Sequence, residues 1–168
     1  MRGYLNHLYL IALGSNQRHP RYGAPRAILS AALEELSAAN IDVLAQSHWI
    51  DSAPIGPSLR RYANGAAVIS TGLSPRELLT ELKQVEARFG RNNAGQRWRS
   101  RPLDLDIILW DKGFFSDEAL TIPHAEFRGR FFVTGPAAEI APDWRDPLTG
   151  FSLRQLHARL TRPRSLPR

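Results

Sequence analysis

Cysteine is absent from this sequence, and so are long apolar runs. Without cysteine, neither disulfides nor thiolate metal sites can form, and the redox compartment is left undetermined. No stretch approaches the ~20 apolar residues that span a bilayer. The N-terminal segment also lacks a full signal-peptide core with its cleavage site. We therefore expect a cytoplasmic protein with no membrane partner.

Internal repeats and low-complexity linkers are also missing from the 168 residues. A chain of this length can form one domain with a sizeable core. We expect that domain to span residues 1–161 and to be followed by a basic, disordered tail, residues 162–168. The formal net charge is +6, which suits a polyanionic partner such as a nucleotide or a nucleic acid.

Apolar periodicity predicts strands at 8–13, 41–50, 66–71 and 103–110, and helices that begin at Pro25 and Pro75. The second helix has the clearest signals, because Ser74 and Glu77 form a capping box and Gly90 can end it. The order of elements predicts an α+β fold, a ferredoxin-like βαββαβ antiparallel sheet with both helices on one face. A less regular C-terminal extension follows, with short elements near 120–122, 136–140 and 152–160.

The residues with the strongest chemical signal lie at 101–110. Here Leu103, Leu105, Ile107 and Leu109 alternate with Asp104, Asp106, Ile108 and Trp110, which is the period of a strand with one buried face. Asp104 and Asp106 would therefore lie on one side, roughly 7 Å apart. Oxygen ligands at that spacing suit Mg²⁺. An isolated Asp-x-Asp pair more often lies on a solvated strand face. Here four arginines precede the pair, and arginines bind phosphate oxygens bidentately: Arg91, Arg97, Arg99 and Arg101. Together they predict a site for a metal–nucleotide.

Other segments carry weaker signals. A lone histidine is more often structural, but His124 precedes Arg128 and Arg130 and could donate a hydrogen bond to a phosphate oxygen. Tyr62 and Asn64 would alone be ordinary core and turn residues. With a second aromatic side chain across a cleft, they could stack on and hydrogen-bond a flat heterocycle. No Walker pattern is present, so a P-loop nucleotide site is excluded.

Taken in order, these segments resemble the hydroxymethyl-dihydropterin pyrophosphokinases of folate biosynthesis. The resemblance runs from about Leu8 to Pro142. Its matching residues are Leu13-Gly14-Ser15-Asn16, Pro54-Ile55-Gly56, Tyr62-x-Asn64, Glu86, Gly90-Arg91, Arg97-Trp98, Arg101 to Ile107, Ile122-Pro123-His124, Arg130-x-Phe132-Val133 and Glu139-Ile140-Ala141-Pro142.

The resemblance implies transfer of the terminal diphosphate of ATP to the hydroxymethyl group of a reduced pterin, which leaves AMP. ATP is then a co-substrate, and two Mg²⁺ ions are implied, held by Asp104 and Asp106. The implied catalytic residues are Arg91, Arg101, Asp104 and Asp106. The implied ATP-binding residues are Glu86, Arg97, Trp98, Ile107, Thr121, His124 and Arg130, and the implied pterin-binding residues are Ser52, Ile55, Tyr62, Asn64 and Phe132. The implied partners are these small molecules, with no nucleic acid and no obligate protein partner.

Two other functions share some of these features. An RNA-binding module would need stacking aromatic residues on its central strands, and the sequence has no such pattern. A palm-like nucleotidyl transferase or cyclase would explain Asp104 and Asp106 but not a pocket with Tyr62, Asn64 and Phe132. The product distinguishes this second class, because such enzymes release pyrophosphate from the nucleotide instead of transferring it.

Overall fold

The computed structural model describes residues 5–52, 61–90 and 102–167. The main sheet contains β1 (His7–Ser15), β2 (Asp42–Gln46), β3 (Ile50–Ser52), β4 (Tyr62–Thr71) and β5 (Asp104–Trp110). The helices are α1 (Pro25–Ala38), α2 (Pro75–Arg88), α3 (Phe131–Ile140) and α4 (Leu153–Thr161). A small hairpin pairs β6 (Phe115–Ser116) with β7 (Thr121–Ile122), and a 3₁₀ turn covers Phe127–Gly129. None of the helices in these ranges has the length and apolar character needed to cross a membrane.

The main sheet confirms the predicted antiparallel fold. Its strand order is β2-β4-β1-β5, β3 pairs with β4 as well, and each of these pairs is antiparallel. The single strand predicted at 41–50 was wrong, because the chain breaks between β2 and β3. At this break the Ser47 amide donates to the carbonyl of Ala66 (3.0 Å), and the Ser47 hydroxyl accepts from the Ala66 amide (2.9 Å). The side chain of Ser47 thus takes the place of a ladder carbonyl.

Local sequence signals determine where α1 and α2 begin. Both helices start at the predicted prolines, where the missing amide hydrogen costs nothing. The Ser74 hydroxyl accepts from the Glu77 amide (3.4 Å), and the Glu77 carboxylate accepts from the Ser74 amide (2.8 Å). Gly90 follows the end of α2 with φ of +96°, a conformation that favours glycine. The predicted capping box and terminating glycine are therefore confirmed.

The first face of the sheet is covered by α1 and α2. Apolar side chains from both helices and from β1, β4 and β5 form one buried cluster, which includes Ile11, Leu29, Leu36, Leu82 and Leu105. Burial of such side chains stabilises a fold by about 1.5–3 kcal/mol each. This cluster is the main hydrophobic core, and it lies on the face that the sequence pattern predicts.

The second face is covered by α3 and α4. Leu10, Ile108, Phe127, Val133 and Leu153 belong to a second, smaller buried cluster on this side. The helix predicted near 136–140 was too short, because α3 begins at Phe131 and Pro136 lies inside it. Phe132 and Val133 pack on the second core and so extend the helix towards its N-terminus. The C-terminal extension is therefore the cover of this face.

A β-bulge in β5 changes the predicted alternation of its side chains. Leu10 pairs with Leu109 but Ile11 pairs with Ile107, so Ile108 has no partner of its own on β1. As a result, Leu109 belongs to the second core together with Ile108, and Trp110 packs against the first. The predicted period of two was therefore wrong beyond Ile107, while Asp104 and Asp106 precede the bulge and keep their common face.

Candidate functional site

Polar side chains from β4 and β5 lie on the second face, beyond the end of the second core. Gly14 of β1 pairs with Asn64 on one side and with Asp104 on the other. Two residues earlier, Ala12 pairs in the same way with Ala66 and Asp106. Alternate residues of a strand share a face, so the two carboxylates and the amide point to the same side. Because β1 offers only small side chains between them, a groove is left across the sheet.

A cavity of about 220 Å³ occupies this groove. Its walls contain seven of the residues predicted from the sequence: Ser52, Tyr62, Asn64, Asp104, Asp106, Arg130 and Phe132. Tyr62 stands at the start of β4 and Phe132 in the first turn of α3, so two aromatic residues from different elements line one cavity. Aromatic side chains in the wall of one cavity can stack on a flat ring. We call this space the first cavity.

Asn64 is held in a fixed orientation in the first cavity. Both Asn64 and Ser52 are 6% exposed, and the Asn64 Nδ2 donates to the Ser52 hydroxyl at 2.6 Å. A Cβ atom built on Gly14 would lie 3.1 Å from the Asn64 Oδ1, so the glycine gives the amide its space. A buried, oriented amide can donate and accept hydrogen bonds at the same time.

A second cavity, of about 360 Å³, lies beside the first. Its walls include Asp106, Ile107, Thr121 and His124, and the last three are residues for which the family resemblance implies ATP binding. The amide of His124 donates to the carbonyl of Ile108 (3.0 Å), and its Nδ1 accepts from the amide of Glu126 (3.2 Å). A neutral imidazole with an accepting Nδ1 carries its proton on Nε2, which is then a hydrogen-bond donor. Asp106 lines both cavities and so marks their junction.

Lys83 is a cavity residue that the sequence reasoning missed. It lies on α2 and lines the second cavity, and its Nζ is 3.5 Å from the Oε2 of Glu86. An ammonium group in this position adds positive charge where an anionic ligand would bind. The available signal was its spacing, because Lys83 precedes Glu86 by three residues and both lie on one helix face.

Glu86 lies behind β5, and it is not among the described residues that line either cavity. Its side chain is 1% exposed, and its Oε1 accepts from the amide of Leu105 at 2.9 Å. Leu105 stands between Asp104 and Asp106. The carboxylate of Glu86 is therefore hydrogen-bonded to the backbone of β5 between Asp104 and Asp106.

Arg130, assigned to ATP by resemblance, lines the first cavity with Phe132. Its guanidinium carbon lies 5.9 Å from the centroid of the Phe132 ring, and its Nη2 pairs with the carboxylate of Glu126. Glu126 itself lines the second cavity. The pair thus reaches from one cavity to the other.

Five of the predicted site residues lie outside the described residues: Ile55, Arg91, Arg97, Trp98 and Arg101. The predicted phosphate contacts of the arginines therefore stay predictions, as does the contribution of Ile55 to a pterin pocket.

The fold and the site together define a class of protein. On a ferredoxin-like sheet, a small cavity is lined by two aromatic residues and by Asp104 and Asp106, and Asp106 also lines a larger cavity with Lys83 and His124. This combination suits an enzyme that transfers a phosphate group from a nucleotide to a small heterocyclic acceptor.

Comparison with known proteins identifies the family. The family model of 7,8-dihydro-6-hydroxymethylpterin-pyrophosphokinase (HPPK) matches residues 10–142, and the chain belongs to this family. The predicted resemblance is thus confirmed, and so, at the level of the family, is the predicted activity as a pyrophosphokinase of folate biosynthesis with ATP as its co-substrate.

Two curated relatives carry the name 2-amino-4-hydroxy-6-hydroxymethyldihydropteridine pyrophosphokinase. The protein from Synechocystis is 42% identical over 129 residues, which cover 76% of this chain and 66% of the relative. The protein from Haemophilus influenzae is 42% identical over 135 residues, which cover 79% of this chain and 81% of the relative. The solved structure of HPPK-DHPS from Plasmodium falciparum aligns with a TM-score of 0.72 and 12% identity, over 92% of this chain and 44% of that one. This last similarity concerns the fold.

Proposed function

We propose that the open end of the second sheet face is the catalytic centre, where the hydroxymethyl group of the pterin meets ATP. The first cavity would hold the pterin, and the second, larger cavity would hold the nucleotide. The observation that carries this assignment is the position of Asp106, which lines both cavities. A group transferred from one substrate to the other would have to pass this residue.

The pterin assignment rests on the aromatic and polar walls of the first cavity. Tyr62 and Phe132 would stack on the two faces of the ring, which contributes about 0.5–1.5 kcal/mol per aromatic pair beyond the buried area. Asn64 and Ser52 would read the polar edge, because both are buried and their mutual hydrogen bond fixes the amide. Ile55 is proposed as a further wall of this pocket by the family resemblance alone.

The nucleotide assignment rests on the second cavity. The Nε2–H of His124 and the hydroxyl of Thr121 would donate hydrogen bonds to ATP, and Ile107 would contribute its backbone and apolar contact. The ammonium group of Lys83 would attract the triphosphate. Arg91, Arg97, Trp98 and Arg101 are proposed from the resemblance to bind the phosphates and the nucleotide. Glu86 is proposed to act by holding β5, given its bond to Leu105.

Asp104 and Asp106 fit a magnesium site. Their carboxylates share a strand face and line one cavity, and carboxylate oxygens are ligands that Mg²⁺ accepts. In the described part of the chain, no group of three or more metal-binding side chains exists. Mg²⁺ commonly uses one or two carboxylates and takes its other ligands from phosphates and water. We propose that the pair holds two ions when ATP is bound. Bound Mg²⁺ would neutralise charge on the transferring phosphates.

In the proposed reaction the hydroxymethyl oxygen attacks the β-phosphorus of ATP, the bond between that phosphorus and the α-phosphate oxygen breaks, and AMP leaves. The hydroxyl proton is released. Such transfers have loose transition states, so the protein contributes mainly positioning and charge stabilisation. Stacking by Tyr62 and Phe132 would orient the acceptor, and His124 with Lys83 would orient the donor.

A product assay combined with two variants tests this assignment. The protein with ATP, Mg²⁺ and hydroxymethyl-dihydropterin should form AMP in step with a pterin diphosphate, whereas ADP would indicate transfer of a single phosphate. Asn64→Ala should raise the KM for the pterin about tenfold and spare that for ATP, since a buried hydrogen-bonding group is lost. His124→Ala should do the reverse. Equal loss of both substrates in either variant would contradict the two-cavity assignment.

A further inference from the structure

One short segment carries groups of both cavities. His124 lines the second cavity, whereas Arg130 and Phe132 line the first. Between them the backbone forms only the 3₁₀ turn, with bonds from the Gly129 amide to Glu126 (3.3 Å) and from the Arg130 amide to Phe127 (3.1 Å). Such a turn has weaker hydrogen-bond geometry than an α-helix or a sheet ladder. Its position must therefore be fixed by contacts to the rest of the molecule.

Arg128 supplies such a contact at the centre of the segment. Its Nε donates to the Oδ2 of Asp146 at 2.6 Å and its Nη2 donates to the Oδ1 at 2.8 Å. The side chain of Asp146 is 0% exposed, and that of Arg128 is 23% exposed. A bidentate, charge-assisted pair of this kind is directional and sets both the distance and the angle between the two chain segments.

The other end of the pair is itself rigid. Asp146 also accepts from the Thr149 hydroxyl (2.7 Å) and from the Leu148 amide (3.1 Å). Its backbone closes the loop between α3 and α4, through the Asp146 amide to the Phe151 carbonyl (2.9 Å) and the Gly150 amide to the Asp146 carbonyl (2.8 Å). The loop that follows α3 thus presents one oriented carboxylate to the turn at Arg128.

We propose that Arg128 and Asp146 are a positioning pair for the transfer reaction. They hold the turn so that His124, which would contact the nucleotide, stays at a fixed distance from Phe132, which would contact the pterin. The inference rests on the proposed function of the two cavities. Positioning matters here because a displacement of about 1 Å can cost about a hundredfold in rate. Neither Arg128 nor Asp146 is among the described residues that line the two substrate cavities. The effect of the pair on the reaction is therefore indirect and should involve both substrates.

The test compares Arg128→Met with Arg145→Met. Arg145 lies in the same loop as Asp146, is exposed and donates to the carbonyl of Gly150 (2.8 Å), so it is a matched control. In R128M, kcat/KM should fall about ten- to a hundredfold for both substrates, and R128K, which keeps the charge, should recover part of the loss. R145M should stay within about twofold of the unchanged protein, as expected for an exposed site. An R128M variant with the kinetics of R145M would overturn the proposal, as would a lower melting temperature with unchanged kinetic constants.

Hydrogen exchange separates this inference from the proposed function. The amides of residues 124–133 should exchange about tenfold faster in R128M than in R145M, because the turn opens more often without its anchor. Failure of the unchanged protein to form a pterin diphosphate would overturn the proposed function. The exchange rates would then decide by themselves whether the Arg128–Asp146 pair holds the turn. Equal exchange in both variants overturns it. Should R128M fail to fold, R128K against R145M gives the same comparison with a smaller expected difference.

Discussion

The two faces of the sheet are built from the same strands, but one carries the main hydrophobic core and the other carries the candidate site. On the first face, α1 and α2 close over a continuous apolar core. On the second, α3 and α4 close over a smaller core, and the remaining end of the sheet carries Asn64, Asp104 and Asp106 around a groove. Side chains of β4 alternate between the two faces. Ala63 and Ala67 belong to the first core, whereas Asn64 faces the groove.

This difference shows how the strands separate stability from chemistry. The strands that carry the polar groups of the groove bury their other face in the first core. The packing of that core therefore fixes the positions of these polar groups. Changes to the polar groups of the groove should therefore alter the reaction with little effect on the fold, and changes to the core on the first face should do the opposite.

The largest expected effect is that of Asp106→Asn. The substitution keeps the shape and removes the charge, so turnover should fall at least about a thousandfold if a metal there stabilises the transition state by several kcal/mol. The melting temperature should change little, because Asp106 lies at the cavity junction. AMP formation at saturating substrates measures the loss. Asp42→Asn, on the exposed edge strand β2, is the control and should leave turnover unchanged. A fall in turnover of less than about tenfold in D106N would contradict a metal-binding role for this carboxylate.

On the first face, Leu36→Ala should reverse that pattern. Leu36 is 0% exposed in the main core, and truncation of such a leucine costs about 2–5 kcal/mol of unfolding free energy. The kcat of the folded fraction should be unchanged, since α1 contributes no residue to the walls of either cavity among the described residues. Urea unfolding measures the first value and an assay below the unfolding midpoint measures the second. Leu44→Ala is the control, because Leu44 is 58% exposed and should cost under about 0.5 kcal/mol. A large fall of kcat in L36A would contradict the separation.

Two glycines sharpen the comparison because they lie on opposite faces. A Cβ atom on Gly65 would come within 2.3 Å of the Trp49 ring, so Gly65→Ala should lower the unfolding free energy by about 1–3 kcal/mol through overpacking. A Cβ atom on Gly14 would meet only the Asn64 Oδ1 at 3.1 Å, along with a distant carbonyl. Gly14→Ala should therefore shift the amide and raise the KM for the pterin about tenfold, with little loss of stability. Each variant is the control for the other. Similar effects of both on stability and on KM would show that the faces are not independent.

The sequence predicted those parts of the molecule that local patterns encode. The starts of α1 and α2, the capping box of Ser74 and the common face of Asp104 and Asp106 follow from spacing and propensity. Tyr62, Asn64 and Phe132 lie in one cavity as the family resemblance implies, although no single pattern in the chain brings them together. Their exact contacts with a substrate stay predictions.

Other features depend on contacts between distant segments. The bulge at Ile108 leaves no signal, because Ile108 and Leu109 are both apolar and either could face a core. The start of α3 at Phe131 depends on packing against the second face, whereas Pro136 alone suggested a later start. The pair of Arg128 with Asp146 is defined by proximity across the fold, and an 18-residue separation produces no period that a sequence pattern could show.

The smallest expected effect concerns the acid side of stability and the buried Asp146. Burial favours its neutral form, but hydrogen bonds from Arg128, Thr149 and the Leu148 amide outweigh that effect and hold the pKa of Asp146 below its ordinary value. Unfolded, the group regains an ordinary pKa of about 3.9. Its contribution to stability is therefore fully present above that value and is lost as the pH falls through the lower, folded-state pKa.

Asp146→Asn removes this contribution and so makes the unfolding free energy less dependent on pH. In urea unfolding, D146N should be less stable than the unchanged protein near neutral pH, and the difference should narrow steadily below about pH 4. Asp143→Asn is the matched control, because Asp143 lies in the same loop, is 89% exposed and has its nearest charge partner, Arg154, at 3.9 Å. D143N should follow the unchanged protein at every pH. A difference between D146N and the unchanged protein that stays constant into acid would mean that the carboxylate stabilises the loop by its shape alone. The second face would then depend on packing in the same way as the first.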